Sequence, residues 1–265
     1  MTTTMLQETG RVEFTFEWYG RFLDALLDHG YDPAGFESDV ADGSLLVRHD
    51  VDLSPRKALR MGRIEAERGI ESTYFFLVTN PLYNVFDASC RPVLQELVSL
   101  GHAVGVHFST HQYWQTPPSR SALARRLEGE RTALEAVVGP ISDAASFHCP
   151  PDWVINERFE GVISTYEPRF FSEIGYIADS GQRWRREPPL PDDPPESLQV
   201  LTHPGLWGSN DSPYTECVAS EVSSHLEYTE RFLTNQLLFG RFEPPLRRHP
   251  SNERESSDSK EISPR

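Results

Sequence analysis

Hydrophobic positions along the chain fall into two rhythms. In the first, apolar residues recur every three or four places. Phe16 to His29 carries Trp18, Tyr19, Phe22, Leu23, Leu26 and Leu27 on one face and stops at Gly30, which predicts an amphipathic helix. Arg91 to Leu100 does the same with Val93, Leu94, Leu97 and Val98, closed by Gly101. Ser119 to Val138 has the stripe Leu123, Leu127, Leu134 and Val138, and a closing helix over Glu221 to Phe239 turns Val222, Leu226, Leu233 and Leu237 inward. Ser54-Pro55 opens a further helix, with Ser as cap and Pro in the first turn, that ends at Gly69.

The second rhythm is a short unbroken apolar run, suited to a strand covered on both faces. Ser44–His49, Glu71–Thr79, Ala103–Phe108, Ala144–His148, Val162–Tyr166, Gly175–Asp179 and Leu198–His203 are of this kind. Such runs alternating with helices imply parallel strands joined by helical crossovers. The 265 residues suit one α/β barrel. In a barrel of this kind the chemistry gathers at the carboxyl ends of the strands. Asp50, Asp52, His107, His111, His148, Asp179 and His203 all fall at or just beyond such ends.

Composition narrows the partners. Lys and Arg total 25 against 40 Asp and Glu, a formal net charge of −15, which disfavours nucleic acid and anionic membrane. The start, Met1 to Glu8, lacks a basic segment followed by an apolar run, and no apolar run is long enough to insert into a bilayer. Cys90, Cys149 and Cys217 show no metal-knuckle spacing and read as reduced thiols, so a cytoplasmic protein is expected. From Arg241 onward almost nothing is apolar, which predicts a barrel domain over 1–240 and a disordered polar tail over 241–265. Nothing in the sequence fixes the oligomeric state.

Two stretches carry the chemistry. Arg48-His49-Asp50-Val51-Asp52 ends one strand, and His107-Phe108-Ser109-Thr110-His111 ends another. Either alone has an ordinary reading: the histidines as surface or capping residues, the second Asp as a helix cap. Together they supply one carboxylate and two imidazoles, a three-ligand set with room for water, as in catalytic rather than structural metal sites. The second carboxylate is then free to act as general base, and a metal lowers the pKa of its water to about 7. His203 is the candidate general acid, oriented by Asp179.

In this order the motifs resemble the polysaccharide deacetylase family, carbohydrate esterase family 4, with its NodB-like domain. Arg48 to Asp52 resembles the first motif, His107 to His111 the second, Phe147-His148-Cys149-Pro150-Pro151 the third, Asp179 to Trp184 the fourth, and Leu201-Thr202-His203-Pro204 the fifth. The resemblance implies a distorted (β/α)7 barrel. It implies Asp50 as base, Asp52, His107 and His111 as ligands of a divalent metal, zinc being the expected ion, and His203 as acid. Trp184, Leu201, His148 and Pro150 would line the substrate pocket. The implied reaction removes an N-acetyl group from an amino sugar or glycan precursor, a small-molecule or glycan substrate. A non-sugar amide, or glycan binding without turnover, are the alternatives. Three positions depart from the family pattern. The carboxylates are two apart rather than adjacent. His148 stands where an Arg holds the base. Pro151, which has no N–H, takes the place of the residue whose amide binds the oxyanion, leaving the metal or another amide such as that of Asp152.

Overall fold

The computed structural model describes residues 11–189 and 193–237. The described chain divides into two compact units, the first ending at Ser223 and the second beginning at Ser224. The expected domain end at 240 and the tail over 241–265 lie outside the described residues.

The first unit opens with helix α1 (Phe16–His29), whose cap Thr15 accepts the Trp18 amide at 3.1 Å and whose end is Gly30 at φ 101°. Next come β1 (Asp32–Pro33), β2 (Ser44–Val51), α2 (Pro55–Ala66), β3 (Thr73–Phe76), α3 (Arg91–Ser99), β4 (Ala103–Phe108) and α4 (Arg120–Val138). The chain continues with β5 (Ala144–Phe147), β6 (Ile163–Ser164), the single turn α5 (Pro168–Phe171), β7 (Gly175–Ala178) and β8 (Leu198–Thr202). The sheet runs β6-β5-β4-β3-β2-β8-β7, with β1 added against β2, and every pairing is parallel. This is the expected distorted (β/α)7 barrel. Its strands β6 and β7 end the sheet order without pairing to each other among the described residues.

Strand period two sorts the side chains. Along β2, Val47 and Val51 point outward into the helix-covered cores, while Leu46, Arg48 and Asp50 point inward. Inside, Leu46 joins Phe36, Phe75, Ala144 and Phe170 in an apolar floor. Leu46 and each of the phenylalanines contribute roughly 1.5–3 kcal/mol by this burial. Above that floor the inward layer turns polar, with Arg48 reaching both Gln199 and Ser146. Gly105 lets β4 lie close against the floor, because a Cβ there would meet Phe75 at 2.7 Å and the Ala144 carbonyl oxygen at 3.1 Å.

Several details differ from expectation. Ser54 sits at the N-cap of α2 with extended backbone, but its hydroxyl makes no capping bond. In α3 Val98 is exposed, and in α4 Val137 rather than Val138 is buried. The closing helix, α6 (Tyr214–Phe232), starts earlier than expected and buries only Cys217, and the expected end at Phe239 lies outside the described residues. Val222 and Leu226, expected inward, are exposed. No helix among the described residues is long and apolar enough to cross a membrane.

Candidate metal centre

β2 and the turn after it carry Arg48, Asp50 and Asp52 at alternate positions, so all three side chains share the inward face. The Asp52 turn is pinned from outside the strand. Asn80 donates to the Asp52 carbonyl at 2.6 Å, and the Tyr83 hydroxyl donates to that of Val51 at 2.5 Å. β4 brings His107 to the same end, and the turn after β5 brings His148.

Three donor atoms converge there. Asp52 Oδ1 lies 3.0 Å from His148 Nδ1 and 3.2 Å from His107 Nε2, and the two nitrogens are 3.2 Å apart. Three ligand atoms about 2.0–2.1 Å from one tetrahedral ion stand about 3.3 Å from each other, so the spacing fits a shared cation. The hydrogen-bond pattern fits as well. Asp52 Oδ1 is buried and has no hydrogen-bond partner, because neither imidazole is angled to donate to it. Asp52, His107 and His148 form the one such group of possible metal ligands among the described residues.

His111, expected as the third ligand, is outside this group. It is exposed, and its Nε2 donates to the Cys149 carbonyl at 2.9 Å. The reason lies in two turns. After β4 the chain enters a 3-10 turn over Thr110–Gln112, which carries His111 out to the rim. After β5, Cys149 adopts φ 45°, a left-handed conformation uncommon for any residue but glycine, and His148 is turned inward beside it. His148 was expected to line the substrate pocket, and the structure puts it in the donor cluster instead. Its imidazole pKa is raised, chiefly by its close approach to the Asp52 carboxylate. The Cys149 thiol lies 3.6 Å from His148 Nε2, and burial pushes its pKa up, so it is no ready thiolate.

Asp50 is held apart from the cluster. Arg48, fully buried, donates from Nε to Asp50 Oδ1 at 3.0 Å and from Nη2 to Oδ2 at 2.7 Å. Nη2 also reaches Ser146 Oγ at 2.6 Å and the Tyr166 hydroxyl at 2.9 Å, and Nη1 reaches Gln199 Oε1 at 3.2 Å. Burial alone would raise the Asp50 carboxyl, but the guanidinium outweighs it and the pKa is lowered. Asp52 is lowered likewise, with His107 offsetting its burial. The arginine that holds Asp50 therefore comes from the same strand, two residues earlier. Sequence reading overlooked it, although the period-two spacing of Arg48 and Asp50 was there to find.

On the opposite side, His203 Nδ1 donates to Asp179 Oδ1 at 2.6 Å, and its Nε2 faces Asp52 Oδ2 at 3.9 Å. The Asp179 carboxylate also accepts the His203 amide at 3.0 Å and the Trp207 indole N–H at 2.8 Å. Burial would lower the His203 pKa, but Asp179 prevails and lifts it to about 9. Trp207 is thus a buried orienting residue, a role its sequence position did not reveal. Leu201 is buried on the strand face it shares with Gln199 and His203, and Pro150 is half-buried after the His148 turn. Trp184, expected as a pocket wall, is instead core. It packs 5.3 Å from Phe22 and 6.0 Å from Trp207, because left-handed Gly181 and Gln182 fold its turn back toward α1.

No family model matches the chain, and no curated protein does. Solved structures do. A chitin deacetylase from Colletotrichum lindemuthianum is 13% identical with a TM-score of 0.42, over 70% of this chain and 84% of that one. A family 4 acetyl xylan esterase from Clostridium thermocellum, in complex with a cobalt ion, is 12% identical with a TM-score of 0.41, over 71% and 89%. A CE4 family pseudoenzyme from Bacillus anthracis is 15% identical with a TM-score of 0.40, over 76% and 66%. At such scores the likeness carries no weight for the chemistry, which stands on the atoms above.

Proposed function

We propose that the protein is a metal-dependent hydrolase that removes an acetyl group from the nitrogen of an amino sugar or glycan precursor. The reading is carried by one observation: a buried carboxylate oxygen, Asp52 Oδ1, without a hydrogen bond and with two imidazole nitrogens within 3.2 Å. The order of the sequence motifs supports the substrate class.

Asp52, His107 and His148 would hold a divalent ion, and two nitrogens with one carboxylate suit zinc. When bound, the ion supplies Lewis acidity toward the acyl oxygen and toward water. Asp50, kept ionised by Arg48, accepts a proton from the attacking water. His203, kept protonated by Asp179, gives a proton to the departing amine. Pro150 and Pro151 have no N–H, so the Asp152 amide is the next donor along this turn for the developing oxyanion.

The test is metal analysis of the purified chain together with acetate release from N-acetyl sugars, O-acetyl sugars and non-sugar amides. One ion per chain and acetate from an N-acetyl sugar are expected. A metal-loaded chain that acts only on a non-sugar amide overturns the substrate class, and a chain that binds no divalent ion overturns the metal centre.

A further inference from the structure

Ser146 is fully buried on β5, register partner of His107 on β4. Its Oγ stands between two groups of the site, 2.6 Å from Arg48 Nη2 and 2.9 Å from His107 Nδ1. A histidine that ligates through Nε2 must keep its proton on Nδ1, and that proton needs an acceptor. Asp50 Oδ1 is 3.8 Å from Nδ1, beyond hydrogen-bond reach, and it already accepts from Arg48. A guanidinium can only donate, so Ser146 Oγ must turn one lone pair toward Arg48. Its second lone pair is left for the imidazole N–H.

We infer that Ser146 is a positioning residue of the metal centre: it fixes the tautomer and tilt of His107 and joins that ligand to the guanidinium that holds Asp50. This rests on the ligand set Asp52, His107 and His148 proposed above. The hydroxyl does the work without adding a negative charge to a pocket that already contains Asp50, Asp52 and Asp179. The strand register places it, since Ser146 and His107 are neighbours across one ladder and both face inward.

The experiment is chelator-competition titration of cobalt(II) into the unaltered chain and into Ser146→Ala. Ser146→Ala leaves the strand in place and removes the acceptor. Its affinity is expected to fall between about 10- and 100-fold, the usual cost of losing such a partner. Unchanged affinity overturns the inference. A second readout needs no variant. In nitrogen-15 spectra of the zinc-loaded chain, His107 is expected to carry a slowly exchanging Nδ1 proton, and a proton on Nε2 overturns the inference. An unaltered chain that takes up neither ion fails at the earlier step, the metal centre itself, and is recognised before any variant is compared.

Discussion

Strand β2 presents a buried ionic network on each of its faces, and only one of them is open. On the outer face, His49 Nε2 lies 2.8 Å from Glu65 Oε1 and its Nδ1 lies 2.7 Å from Thr202 Oγ1. The Glu65 oxygens accept from the hydroxyls of Tyr19 at 2.5 Å and Tyr74 at 2.7 Å, and His102 Nε2 donates to the Gly62 carbonyl at 2.8 Å. Burial would raise the Glu65 carboxyl, but His49 outweighs it and the pKa sits at about 2. Each oxygen of that carboxylate accepts one tyrosine hydroxyl, while the neighbouring His49 Nε2 makes no hydrogen bond. On the inner face, Asp52 Oδ1 is equally enclosed yet accepts nothing. Acid and imidazole alone therefore do not mark a metal centre. What sets the inner face apart is a buried carboxylate oxygen that its neighbours leave unsatisfied.

The comparison can be broken first at the ligands. His148→Ala is expected to lower divalent-ion affinity by more than the roughly 100-fold that an outer-shell loss costs, whereas His111→Ala keeps binding. Equilibrium dialysis decides this, and the reverse pattern would restore His111 to the ligand set.

Next is the closed network. Glu65→Ala strands His49, Tyr19 and Tyr74 and is expected to cost about 3–5 kcal/mol in denaturant unfolding. Ion binding by the folded fraction should persist. If the ion is lost while the fold remains, the two faces are not independent.

A third prediction concerns pH. His203 must be protonated to act as acid, and Asp179 raises its pKa to about 9. Turnover should hold below that value and fall as pH rises through it. A bound cation nearby would shift this limb downward. A kcat that stays level up to pH 10 would remove His203 from the role.

The smallest effect lies outside both networks. Glu130 in α4 accepts the Tyr113 hydroxyl at 2.5 Å, with Arg126 over the Tyr113 ring at 4.5 Å, and its Oε2 has no partner. Burial raises its pKa from 4.5 to about 7. The folded state therefore holds a proton that the unfolded chain has already lost between these values. Stability from this group is greatest below about 4.5, falls as pH rises toward about 7, and is level beyond. Glu130→Gln should remove this slope and gain on the order of 3 kcal/mol over the parent at pH 8 relative to pH 4. Paired melts at the two pH values would show it, and parallel curves would refute it.

Much of this was legible in the sequence. Unbroken apolar runs gave the strands, and their ends located Asp50, Asp52, His107, His148, Asp179 and His203. The choice between His111 and His148 was not legible. It turns on Cys149 at φ 45°, and no pattern announces a left-handed residue that is not glycine. Trp184 was misread for a similar reason, since Gln182 at φ 57° reverses the chain before it. Helix α6 misled by its periodicity, which shows an apolar stripe but not whether anything covers it.

The unclosed seam of the barrel has a consequence for self-association. A sheet that does not close on itself offers bare amide and carbonyl groups to any passing strand. Among the described residues the two end strands are brief, β6 with two residues and β7 with four, and the Ser164 amide of β6 is already taken by Glu167 Oε1 at 3.2 Å. So short a ladder gives a stranger little to grip.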